Sequence, residues 1–165
     1  MYNKILVPVD GSDAAADGLN EAIKLAKIHG SQLCLLHVVN ELVLNFGYVP
    51  GFTGADLFES LRNAGRDILD SAKATVVSEG IEPTCVMLEC VGGGAAPLIL
   101  ERAREWKADL IVMGTHGRRG LARLALGSDA EQVVRGATVP VLLIRSKAAA
   151  KKSTGPTSPV EASVV

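Results

Sequence analysis

Three glycines and a serine set the chemistry open to this chain. Gly114 and Gly117 are separated by two residues, and nine more lead to Gly127-Ser128, the pattern G-x2-G-x9-G-[S/T]. The apolar run Leu110 to Met113 precedes the first glycine and reads as a fully buried strand. Ser128, with Glu131 three residues later and then Val133-Val134, reads as a capping box at the start of a helix. Strand, long glycine-rich loop and helix N-terminus in that order aim main-chain N–H groups and a helix dipole at one point. Such a point suits an anion.

Each residue has a role in that reading. Gly114 and Gly117 allow tight or left-handed backbone and close approach of a ligand to the main chain, and Gly127 does the same just before the helix. The N–H groups of Ser128, Asp129 and Ala130 then face an incoming phosphate. A helix N-terminus contributes about 0.3–1 kcal/mol to a nearby anion, and about 2 kcal/mol when partly buried. A micromolar complex needs roughly 8 kcal/mol, so other N–H groups, side chains and a buried organic moiety must supply the rest. Arg118, Arg119 and Arg123 in the nine-residue stretch are either phosphate clamps or a solvated basic loop.

The elements that must position these residues alternate. Ile5 to Val9 is a short apolar strand ending at Asp10-Gly11-Ser12, with Pro8 near its end and Asp10 or Ser12 as a helix cap. A helix follows with Ala15, Leu19, Ala22, Ile23 and Ala26 on one stripe and Gly30 as its stop. Leu33 to Val39 is a second buried strand. Ala55 to Ser78 is helical with Leu57, Leu61, Ile68, Leu69 and Ala72 inward; Thr84 to Cys90 is a third strand. After Gly92-Gly93-Gly94 comes a helix over Leu98 to Trp106, opened by Pro97. The glycine-rich stretch supplies the fourth strand and helix, and Val139 to Arg145 is a fifth strand. This is an α/β domain with a parallel sheet.

Bulk properties narrow the partners. The 165 residues make one domain, 48% hydrophobic and 21% charged, with a formal net charge of −1. That charge gives no field for nucleic acid or an anionic membrane. No signal peptide or membrane span is visible, which points to the cytoplasm. Cys34, Cys85 and Cys90 sit in apolar runs without metal-like spacing and read as buried reduced thiols. The Asn40–Gly54 loop carries Phe46, Tyr48 and Phe52, to cover a pocket, meet a partner or pin the loop. The domain is expected over 1–146, with 147–165 as a disordered tail.

With these motifs in view, the chain resembles the universal stress protein family over roughly residues 2 to 145, and the glycine pattern is similar to the signature of its ATP-binding branch. The resemblance implies an open five-stranded sheet of order 3-2-1-4-5 with helices on both faces, Rossmann-like and akin to the adenine nucleotide α-hydrolases. In such a sheet the ligand crevice lies at the carboxyl ends of strands 1 and 4, where Asp10 and Gly114 fall. The resemblance further implies that Asp10, in Pro8-Val9-Asp10, lies near adenine, that Val38 lines the base pocket, that Met113 is an apolar contact and that His116 sits near ribose or phosphate. The ligand implied is ATP, or ADP or AMP. Asp129 departs from the pattern: at the first helical position it complements the dipole but competes with a phosphate. The arginines offset it, a magnesium or manganese ion bridges it, or the site prefers AMP.

No nucleophile–base pair, G-x-S-x-G elbow, P-loop or G-x-G-x-x-G motif is present in the sequence. A binding module is therefore expected rather than an efficient enzyme, and the resemblance implies a nucleotide-dependent regulator of the stress response. A weak ATPase of the same fold and a nucleotide-free dimeric adaptor are the alternatives. The strand 139–145 is an apolar sheet edge, and the resemblance implies that it pairs with its twin in a homodimer.

Overall fold

The computed structural model describes residues 1–40, 54–90, 92–116 and 126–146. Over these, strand and helix alternate as β1 (Lys4–Pro8), α1 (Asp13–His29), β2 (Gln32–Asn40), α2 (Gly54–Ser78), β3 (Thr84–Cys90), α3 (Ala96–Glu105), β4 (Leu110–Gly114), α4 (Ser128–Gly136) and β5 (Val141–Ile144). The strands form one parallel sheet in the order β3-β2-β1-β4-β5. The 41–53 segment with Phe46, Tyr48 and Phe52, and the 147–165 tail, lie outside the described residues.

Side chains alternate across the pleat and so feed two cores. Ile5, Val7, Leu33, Leu35 and Val112 meet Leu19, Ile23, Leu69 and Val76 of α1 and α2 on one face. Leu6, Cys34, Leu36, Ile111 and Met113 meet Ile99, Ala103, Ala130 and Val133 of α3 and α4 on the other. β4 is buried along its whole length, as a strand covered on both faces must be. α1 begins at Ser12, whose Oγ accepts the Ala15 N–H at 3.2 Å, and ends at Gly30 in left-handed conformation (φ 70°).

Four expectations shift. β5 starts at Val141 rather than Val139, because Pro140 has no N–H to donate, although its carbonyl still accepts from Ile111 at 3.0 Å. α3 starts at Ala96, which places Pro97 in its first turn. Leu57 is exposed; the line of α2 that meets the sheet is Gly65, Leu69, Ala72 and Val76. Cys34 and Cys90 are buried, but Cys85 is exposed because β3 is an edge strand. Burial pushes the Cys34 thiol up, against the opposing hydrogen bond and charge of Arg102.

Candidate functional site

The sheet's winding reverses between β1 and β4, which pair with Leu6 opposite Ile111. Continuing that register by two residues sets Pro8, the last residue of β1, level with Met113. The chain then leaves β1 through Val9, which is buried and donates its N–H to Leu36 O at 2.8 Å. Asp10 follows, half-buried, and its Oδ1 accepts from Ser12 N at 2.9 Å and from Ser12 Oγ at 2.6 Å. The carboxylate thus orients the serine that caps α1. Val38 is half-buried and packs against the core on the α3–α4 face, the core to which Met113 belongs.

Gly114 is a glycine for a reason other than the expected one. It is a strand residue, absent from the positive-φ glycines, and a Cβ on it would stand 2.7–2.8 Å from the backbone and Cβ of Ala14. On α1, a Cβ at Gly18 would likewise come within 3.3 Å of Gly114 N. The glycine lets α1 lie directly on the end of β4, so packing rather than left-handed geometry requires it.

Beyond Gly114 the backbone is pinned. Thr115 N donates to Ile144 O at 2.9 Å, Thr115 O accepts from Gly127 N at 2.9 Å, and Thr115 Oγ1 lies 3.0 Å from His116 Nδ1. Among the described residues, the buried His116 Nε2 has no hydrogen-bond partner. The Gly127–Thr115 bond carries the start of α4 back to the end of β4. It also moves the cap. Gly127, extended at φ −61° and ψ 147°, is the N-cap, its carbonyl accepts the Glu131 N–H at 2.9 Å, and Ser128 is the first helical residue with no capping bond from its side chain. The expected Ser128–Glu131 capping box therefore does not form, and Gly127 is not left-handed. The N–H groups of Ser128, Asp129 and Ala130 precede the first intrahelical bond and have no acceptor inside α4.

Asp129 occupies the second helical position, and its Oδ1 reaches across to another helix. It accepts from Ala95 N at 2.9 Å and Ala96 N at 3.3 Å. Ala95, the N-cap of α3, has no capping side chain of its own, so Asp129 supplies the acceptor. A Cβ at Gly94 would fall on that same carboxylate oxygen. Gly94 thus leaves room for Asp129, whereas Gly92 and Gly93 have open space around them and are left-handed at φ 77° and 103°.

The sequence model of the universal stress protein family matches residues 1–145. The chain belongs to that family. Universal stress protein MJ0531 of Methanocaldococcus jannaschii is 38% identical over 146 residues, 88% of this chain and 83% of the relative. Among solved structures, that of hypothetical protein MJ0577 is 26% identical with a TM-score of 0.76 and covers 89% of this chain and 98% of that one. A universal stress protein from Archaeoglobus fulgidus, solved in complex with dAMP, is 27% identical with a TM-score of 0.60, over 87% and 98% of the two chains.

In this universal stress protein the described site residues gather at one end of the sheet: Pro8, Val38, Met113 and Gly114 lie in the carboxyl-terminal parts of β1, β2 and β4, Val9, Asp10 and His116 on the loops that follow β1 and β4, and Gly127, Ser128, Asp129 and Ala130 at the N-cap and first turn of α4. Gly117, Arg118, Arg119 and Arg123 lie outside the described residues. No group of three or more His, Cys, Asp or Glu among the described residues could hold a metal ion. Nor, among them, is any helix long and apolar enough to cross a membrane. Sequence reasoning missed His37: its ring is buried, and Nδ1 lies 2.7 Å from the Val9 carbonyl. The signal was a histidine inside an otherwise apolar buried strand.

Proposed function

We propose that the chain binds an adenine nucleotide at the carboxyl ends of β1 and β4 and acts as a nucleotide-dependent regulator of the stress response in the cytoplasm, as a homodimer. The nucleotide-binding domain spans 1–146, with 147–165 as a tail. The observation that carries the reading is the first turn of α4, where the N–H groups of Ser128, Asp129 and Ala130 are left without helical acceptors beside the sheet's reversal point. His116 Nε2, a buried polar atom without a partner among the described residues, supports it, since a ligand oxygen would satisfy it. The dAMP complex of a family member adds the class of ligand. ATP, ADP and AMP all fit donors of this kind, and with its Oδ1 turned to α3 Asp129 gives no reason to prefer AMP over ATP.

Ser128→Pro tests this directly. Proline suits a first helical position, and Gly127 already has the extended geometry that precedes one. The variant therefore keeps the helix and removes one phosphate-facing N–H. Titration calorimetry with ATP, AMP and GTP is expected to show adenine selectivity in the wild type. The variant should lose about tenfold or more in affinity, as for a hydrogen bond to a charged group, with an unchanged melting temperature. Wild-type protein that purifies without nucleotide and gives no heat with any of the three would reject the reading.

A further inference from the structure

The ladder between β1 and β2 runs in register to Pro8 opposite Leu36, and Val9 N adds a last bond to Leu36 O. At this point a side chain takes over. The Val9 carbonyl meets the imidazole of His37, with Nδ1 at 2.7 Å. A carbonyl only accepts, so Nδ1 carries the proton and donates. The ring is held from behind by α2. A Cβ on Gly65 would stand 2.8 Å from its Cδ2, 3.1 Å from its Nε2 and 3.2 Å from Met87 Sδ. The helix therefore comes down on the imidazole at a residue with no side chain, and the ring is fixed between α2 and the end of β1.

Val9 is the residue before Asp10, and His37 is the residue before Val38. These two neighbours are the ones assigned to the base side of the crevice. We propose that His37 is a positioning residue for that crevice. Its Nδ1–H holds the Val9 carbonyl and fixes the direction in which the chain leaves β1, which sets the spacing between the Val9–Asp10 backbone and Val38. Nucleotide affinity then depends on one nitrogen of a ring that points away from Val38, towards the other face of the sheet. The inference rests on the nucleotide reading given above.

The two ring nitrogens can be separated by isosteric amides. In His37→Asn the amide nitrogen stands where Nδ1 stands, whereas in His37→Gln it reaches towards the Nε2 position and leaves Val9 without its donor. Both variants lose ring volume under α2, so both melt lower than wild type. Titration with ATP should nevertheless separate them, with Asn within about twofold of wild type and Gln weaker by about tenfold, the scale of one lost buried hydrogen bond. Equal affinities for Asn and Gln, or affinities that follow melting temperature, would overturn the positioning role while leaving the nucleotide reading intact. A wild type that binds no ATP in the same titration would overturn both. If both variants unfold, ring nitrogen-15 spectra of the wild type decide. The Nδ1–H resonance of His37 should shift on saturation with ATP, and an unshifted resonance counts against the proposal.

Discussion

Asp129 Oδ1 lies 2.9 Å from the main-chain nitrogen of Ala95 and so caps α3 from the first turn of α4. Two helix N-termini converge here, and Asp129, which belongs to α4, lends its carboxylate to α3, whose N-cap Ala95 has no capping side chain. Replacing Asp129 tests which terminus it serves. Asp129→Ala is expected to lower stability by about 0.5–2 kcal/mol, the range for a lost N-cap, and Asp129→Asn by less, because its amide oxygen still accepts. Urea unfolding reads this. Adenine nucleotide affinity should not tighten in either variant. A tenfold gain in Asp129→Ala would mean that the carboxylate had been competing with the ligand for α4.

Gly114→Ala separates packing from ligand contact at the first motif glycine. The added Cβ would press on the backbone of Ala14, and α1 would have to lift off the end of β4. Overpacking of this kind costs about 1–3 kcal/mol. The expected result is a lower urea midpoint in the absence of any ligand. Gly127→Ala, whose Cβ would stand 3.2 Å from Thr115 O in an extended conformation open to any residue, should lose less. Equal losses would remove the distinction drawn between the two glycines.

The alternation of short apolar runs with amphipathic stretches was legible from the sequence because each run obeys one period: Leu110 to Met113 is uniformly apolar, and Ala15, Leu19, Ala22 and Ala26 repeat at helical spacing. The site was legible only as a place. Ser128 and Glu131 carry the right letters for a capping box, but Thr115 O draws in the Gly127 N–H and starts the helix one residue earlier than that box requires. That bond joins residues 12 apart, and the Asp129–Ala95 bond joins residues 34 apart. Local spacing contains neither. Leu57 failed for a related reason, since the periodicity of a 25-residue helix continues through a first turn that, among the described residues, joins neither core.

The outer edge of β5 carries the last prediction. β5 pairs with β4 alone among the described residues, and all four of its side chains are half-buried. On α4, Asp129 and Gly136 meet α3, Ala130 and Val133 face the sheet, and Val134 lies roughly on the flank away from α3, above that edge. Val134 is 45% exposed. An apolar strand edge beneath an apolar helix flank is the surface that the proposed homodimer would cover. Val134→Glu leaves both cores untouched and places a charge on this surface in each protomer. Sedimentation at micromolar concentration should show a dimer for wild type and a shift towards monomer for the variant, with melting of the monomer itself unchanged. A wild-type monomer at that concentration would reject the dimer, and a variant dimer as tight as wild type would place its interface elsewhere on the molecule.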